Sequence, residues 1–160
     1  MDKSEFLRLV NSPWRMRLYL LWKLPAAWFF GIQVVRCDAG ACSIRLPFHW
    51  QSRNPFRSIY FAAQCAAGEL STGLLVMATL AGQPPVSMLV VNIEAEFVKK
   101  AEAPLDFTCT EGAQVDSVVQ QALNSNEAQM LRLCSTGRLR DGTVAANIWI
   151  TWSLKRREKK

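Results

Sequence analysis

The chain has 160 residues, half of them apolar and a fifth charged, and a formal net charge of +6, enough to bury one core and too little for two ordinary domains. Most of the excess charge is a closing run, Lys155, Arg156, Arg157, Lys159 and Lys160 against Glu158, which reads as a solvated tail; no exposed basic and aromatic series accompanies it, so nucleic acid is excluded as a partner. Five cysteines, an odd number without a Cys-x-x-Cys pair, read as reduced and buried, and with no basic stretch ahead of an apolar signal core they place the protein in the cytoplasm.

Residues 4–23 carry Phe6, Leu9, Val10, Leu18, Leu21 and Trp22 at helical spacing behind Ser4, a capping residue type; Pro13 bends this helix or divides it in two. The apolar run over residues 18–35 is broken by Lys23, Pro25, Gly31 and Gln33, whereas a spanning helix needs about 20 uninterrupted apolar residues. Its aromatic side chains fit a helix lying across a sheet or closing a pocket, with a membrane surface or a protein partner as the lesser alternative. Residues 31–38 and 41–48 are strand-like around a tight turn at Ala39-Gly40, and Pro47 ends the second.

A long helix is predicted over about residues 58–80, before the breaker Gly82-Gln83-Pro84-Pro85. It is apolar nearly all round, so it must be covered on most sides. In residues 86–98 Leu89, Val91, Ile93, Ala95 and Phe97 share one parity, against Asn92, Glu94 and Glu96 on the other; Leu105, Phe107 and Cys109 alternate likewise. A short helix over residues 114–123 and two long strands, 127–140 and 143–154, around Asp141-Gly142 complete the order. The expected class is α+β, an antiparallel sheet curled around one helix. Residues 1–30 form an N-terminal helical extension, 31–155 the core of a single domain, and 156–160 a basic tail.

From Ser58 to Ile93 the only charged residue is Glu69. An isolated buried carboxylate costs several kcal/mol unless it is paired, hydrogen-bonded or protonated. On a helix it shares a face with the small residues Ala62, Ala66 and Gly73, which leave room beside it. It is either a general base or nucleophile with a raised pKa, or a structural carboxylate at a pocket rim or subunit interface with a polar partner. Ahead of the helix, Asn54-Pro-Phe-Arg-Ser58 supplies a donor and acceptor in Asn54 and a cap in Ser58, and the free N–H groups of the first turn suit an oxyanion; a simply capped helix start is the plainer reading. His49 is the only histidine and makes no metal site. Cys65 has no basic neighbour in sequence and reads as inert. Arg132, Arg138 and Arg140 on one strand face, or Lys99 and Lys100, suit phosphates, or else a solvated surface.

The segment Asn54-Pro-Phe-Arg-Ser-Ile-Tyr-Phe-Ala-Ala-Gln-Cys-Ala-Ala-Gly-Glu69-Leu-Ser-Thr-Gly73 resembles the hotdog-helix signature of the thioesterase family typified by the C-terminal domain of YiiD, related to the phenylacetate-type acyl-CoA thioesterases. Tyr60 to Glu69 matches the family's nine-residue interval between an aromatic or His position and the acid. Phe97-Val-Lys-Lys-Ala101 is similar to its Phe-x-Lys-Pro-Ala strand end, and residues 137–155 to its final hairpin. The resemblance spans residues 31–155 and implies a hotdog fold and a homodimer, with a tetramer as the alternative, whose acyl-thioester tunnel lies between subunits. It implies hydrolysis of an acyl-CoA or acyl-carrier-protein thioester, with Glu69 activating water or attacking directly. The N–H groups near Phe61 and Ala62 would polarise the carbonyl, Asn54 would orient water or substrate, and Thr72 would stand one turn beyond the acid. Arg138, Arg140, Lys99 and Lys100 would meet coenzyme A, which enters as part of the substrate; no separate cofactor or metal is implied. Phe61-Ala62 replaces the family's Gly-Gly pair, and this supports the alternative of a noncatalytic hotdog module that binds an acyl chain or a partner protein.

Overall fold

The computed structural model describes residues 1–157. Pro13 divides the N-terminal helix rather than bending it: α1 (Lys3–Val10) ends before it and α2 (Pro13–Lys23) starts on it, because a proline in the first turn loses no helical hydrogen bond. α3 (Pro25–Phe29) starts the same way. The cap of α1 is Asp2 and not Ser4. The Asp2 carboxylate accepts from Glu5 N at 2.8 Å and Glu5 returns the bond to Asp2 N, a reciprocal arrangement that satisfies two otherwise free donors. The extension is tied to the core at Asn11, whose side chain donates to Cys37 O at 2.7 Å and accepts from Cys37 N at 2.8 Å.

β1 (Gln33–Cys37) and β2 (Cys42–Leu46) form the first hairpin, its turn held by Asp38 Oδ1 accepting from Gly40 N and Ala41 N. A short 3-10 turn at Trp50–Ser52 leads through the loop to α4 (Phe61–Leu80). Then follow β3 (Val86–Phe97), β4 (Leu105–Cys109), α5 (Gly112–Asn124), β5 (Gln129–Arg138) and β6 (Val144–Arg156). Every strand pairing is antiparallel, and the sheet order is β1-β2-β4-β5-β6-β3. The sheet wraps α4 in a hotdog fold. α4 is long and apolar enough to cross a bilayer, but it is mostly buried, and the inner faces of β2, β4, β5 and β6 cover it, with Leu46, Phe107, Leu133 and Ile150 fully inside.

The helix approaches β6 closely at Gly68. A Cβ there would meet Ile148 Cβ at 2.8 Å and both its γ carbons within 3.1 Å, and a β-branched side chain fixed in a strand cannot swing away. Gly68→Ala is therefore expected to destabilise the protein by about 1–3 kcal/mol, the cost of overpacking, read as a lower denaturation midpoint in urea.

One sequence expectation is corrected in β3. Its pairing with β6 shifts between Val90 and Asn92, so the apolar parity is not continuous. Met88 and Val90 lie opposite the inward-facing Leu154 and Trp152, and after the bulge Ile93, Ala95 and Phe97 lie opposite the inward-facing Ile150, Ile148 and Ala146. Leu89 is on the outer face, opposite Ser153. An extra residue in a period-2 element moves every later side chain to the other face. Val91 is that residue, and it keeps the polar Asn92, Glu94 and Glu96 outside.

Candidate functional site

Glu69 sits near the middle of α4 and is half-buried. It lines an apolar hollow of about 220 Å³ whose other walls are Lys23, Leu24, Pro25, Ala26 and Ala27 from the α2–α3 junction and Ala66 and Leu70 from its own helix. Gly73, one turn on, makes space for the acid: a Cβ there would lie 3.4 Å from Glu69 Oε1 and 3.3 Å from the Trp152 ring. Among the described residues no hydrogen bond or ion pair reaches the Glu69 carboxylate. Burial alone pushes its pKa above the ordinary carboxylate value, because desolvation disfavours the charged form. Lys23 lines the same hollow but makes no ion pair with the acid among the described residues.

Thr72 is fully buried and does not touch the carboxylate. Its hydroxyl donates to Glu69 O at 2.9 Å and accepts from Trp152 Nε1 at 3.1 Å. The pair fixes the indole against the helix beside Glu69 and Gly73. Strand periodicity marks Trp152 only as an inward apolar position of β6, and the structure places its ring against Gly73.

At the start of α4, Asn54 closes its own loop. Its Oδ1 accepts from Phe56 N at 3.0 Å and Ser58 N at 3.1 Å, and its Nδ2 donates to Ser58 Oγ at 3.0 Å. Arg57 takes a left-handed φ of 60° in this loop, a strained conformation for a residue with a side chain. Ser58 therefore bonds within the loop and does not cap the helix, which begins three residues later with Tyr60 at its N-cap and no side-chain cap. Ala63 N and Gln64 N both bond Tyr60 O, so Phe61 N and Ala62 N have no acceptor among the described residues. The Phe61 ring turns outward, edge-on to Tyr60 and to Phe97, at centroid distances of 4.8 and 6.4 Å. Asn54, Phe61, Lys99 and Lys100 line one open hollow of about 320 Å³, with the buried Gln64 behind them.

A family model described as a domain of unknown function, DUF4442, matches residues 13–154. The chain belongs to the DUF4442 family. Among curated proteins none matches its sequence. Solved structures share the fold of this DUF4442 protein. The Pseudomonas aeruginosa protein PA5026, a protein of unknown function and probable thioesterase, aligns with a TM-score of 0.75 at 14% identity, over 98% of this chain and 97% of that one. The thioesterase HI1161 of Haemophilus influenzae aligns at 0.66 and 14% identity, over 87% and 88%. The thioesterase enzyme SAV0944 of Staphylococcus aureus, as a mutant, aligns at 0.61 and 15% identity, over 79% and 94%.

The basic residues of the DUF4442 domain fall into separate places. Lys99 and Lys100 reach the Asn54 hollow, where Lys100 also pairs with Glu102 at 2.6 Å. Arg132 pairs with Glu94 at 2.8 Å on the outer sheet face. Arg138 donates to Gly142 O at 3.0 Å, and Arg140 lines a different hollow with Arg45 and Asp106. His49 packs on Gly31, where φ is 71° and a Cβ would stand 2.6 Å from its Nε2, which gives the ring a packing role. The Cys65 thiol is pushed up by burial, which disfavours its thiolate form. Because a Cβ at Gly73 would lie 3.3 Å from the Trp152 ring and 3.4 Å from Glu69 Oε1, one of them must give a little, and Gly73→Ala is expected to lower the thermal midpoint by a few degrees, read from a melting curve.

Proposed function

We propose that this protein hydrolyses an acyl-CoA or acyl-carrier-protein thioester, with Glu69 as the general base. The observation that carries the reading is an unpartnered carboxylate, its pKa raised by burial, facing an apolar hollow from the central helix of a hotdog fold. Glu69 takes a proton from water, the water oxygen adds to the thioester carbonyl carbon, and collapse of the tetrahedral oxyanion breaks the carbon–sulfur bond and releases acid and thiol. The free N–H groups of Phe61 and Ala62 are the donors for the oxyanion. Seven residues of helix separate Ala62 from Glu69, about 10 Å along the axis, too far for both to serve one carbonyl. The reading therefore places the donors of one subunit opposite the acid of a second copy docked along β3. Lys99 and Lys100, beside Phe61, meet the phosphates of the carrier, with Arg138 and Arg140 as more distant contacts.

The Staphylococcus aureus relative is represented by two variants, one replacing a glutamine and one a glutamate fifteen positions later. Asn54 and Glu69 stand at the same interval, which supports assigning them paired roles. The test is turnover of acyl-CoAs of graded chain length by purified protein, followed by thiol release. The outward Phe61 ring, packed on Phe97 where the family has glycine, favours a second reading, a module that holds an acyl chain without cleaving it. Saturable acyl-CoA binding with no thiol release decides for that reading.

A further inference from the structure

We propose that α2 and α3 form a docking surface for an anionic bilayer. A surface helix ordinarily has one apolar face, turned to the protein. α2 has two. Met16 and Leu20 are buried against the core, while Trp14, Leu18, Leu21 and Trp22, spaced i, i+4, i+7 and i+8, form a second apolar stripe on the opposite side and are exposed. Trp14 is 64% and Trp22 82% accessible, a large cost in water for residues the fold itself does not use. Beyond α2 the surface continues through Leu24 and Phe29, the latter edge-on to the exposed Trp50 at 5.8 Å.

The charges around the stripe select the occupant. Arg15 and Arg17 flank it on either side at helical angles, stacked over Trp14 and Trp28 at 5.2 and 5.1 Å, and neither joins an ion pair among the described residues. No carboxylate occurs between Glu5 and Asp38, whereas Arg8, Arg15, Arg17, Lys23 and Arg36 all fall there. A second copy applied to this face would set arginine against arginine without a counter-charge. An anionic lipid surface supplies the missing negative charge, and it accommodates tryptophan at the depth where hydrocarbon meets headgroup. α2 packs on β1, at the opposite end of the sheet from β3, so the face stays free when a second copy occupies the β3 edge. The segment that follows the stripe, Lys23 to Ala27, walls the Glu69 hollow, so a docked protein presents that hollow near the lipid. Docking itself does not depend on thioester hydrolysis.

The full chain is mixed with vesicles of phosphatidylglycerol and phosphatidylcholine, or of phosphatidylcholine alone, and sedimented, with tryptophan emission recorded in parallel. The expected result is at least about tenfold stronger partition onto the anionic vesicles, weakened by salt, with a blue-shifted emission. The pair Trp14→Ser with Trp22→Ser, and separately Arg15→Glu, should each lower partition about tenfold or more with unchanged circular dichroism. The proposal is overturned by absence of partition, by equal partition onto phosphatidylcholine alone, or by partition that survives both sets of substitutions. It is equally overturned if those substitutions lower the solution mass of the protein and leave lipid binding as it was, since the face is then a protein interface.

Discussion

Glu69→Gln is expected to lower thioester turnover at least about a hundredfold, the typical contribution of a general base, while raising thermal stability. The two effects share a cause. The carboxylate is desolvated in the hollow under the α2–α3 junction, and among the described residues no hydrogen bond or ion pair reaches it although Lys23 lines the same hollow, so the folded state holds the Glu69 proton more tightly than the unfolded state does. The resulting penalty is absent below the ordinary carboxylate pKa of about 4.3. It grows as pH rises from there to the raised folded value and is fully present above it. Glutamine keeps the shape without the charge. At neutral pH the variant should melt higher than the unaltered protein, and the difference should vanish near about pH 4. The wild-type kcat/KM should rise with pH through a midpoint above the usual glutamate value, since only the carboxylate accepts the proton of water. Circular dichroism melts across pH, beside rates of thiol release, measure all of this. Full turnover in Glu69→Gln sinks the catalytic assignment, and a stability loss at neutral pH means that the acid has a partner after all.

On the proposed reading, in which a second copy docks along β3, Ile93→Lys combined with Phe97→Asp is expected to yield a folded monomer with no measurable turnover where the unaltered protein is dimeric. β3 is a twelve-residue strand at the end of the sheet, paired only with β6, and its free edge offers a row of unmatched backbone donors and acceptors. Ile93 and Phe97 face the helix side, yet 47% and 44% of their surface is accessible, beside the still more exposed Phe61. A long apolar edge without cover is a site for pairing with another chain, and antiparallel docking of a second copy covers it with its own equivalent. On the proposed reading the same docking would bring the Phe61 and Ala62 N–H groups of a second copy toward Glu69. Light scattering on a sizing column gives the mass and circular dichroism the fold. A wild-type monomer that turns over substrate, or a monomeric variant with full activity, removes the shared-site arrangement while leaving Glu69 as the base.

Most of the order of helices and strands is legible in the residues because the elements carry their own period and punctuation: Pro13 interrupts the first helix, Gly142 turns the last hairpin, and alternation marks β4 and β6, whereas α3, starting on Pro25, is not among the expected elements. Glu69 stands out by the same logic, as a lone charge in thirty-odd apolar and polar residues. The β3 bulge was not legible, since Val91 is as apolar as its neighbours and only pairing with β6 reveals the extra residue. Nor was the role of Ser58, which depends on whether Asn54 or the helix claims its hydroxyl.

Sequence alone therefore determined an antiparallel sheet curled around one helix and the identity of the unusual acid, because periodicity and burial cost are properties of a local segment. Tertiary structure decided what surrounds that acid: the α2–α3 wall with Lys23 in it, the Trp152 indole held by Thr72 one turn on, and a carboxylate that no ion pair reaches among the described residues. It also decided that the basic residues lie in three separate places and that α2 shows a second apolar face to the outside. Those are distances between segments far apart in the chain, and no period within a single segment encodes them.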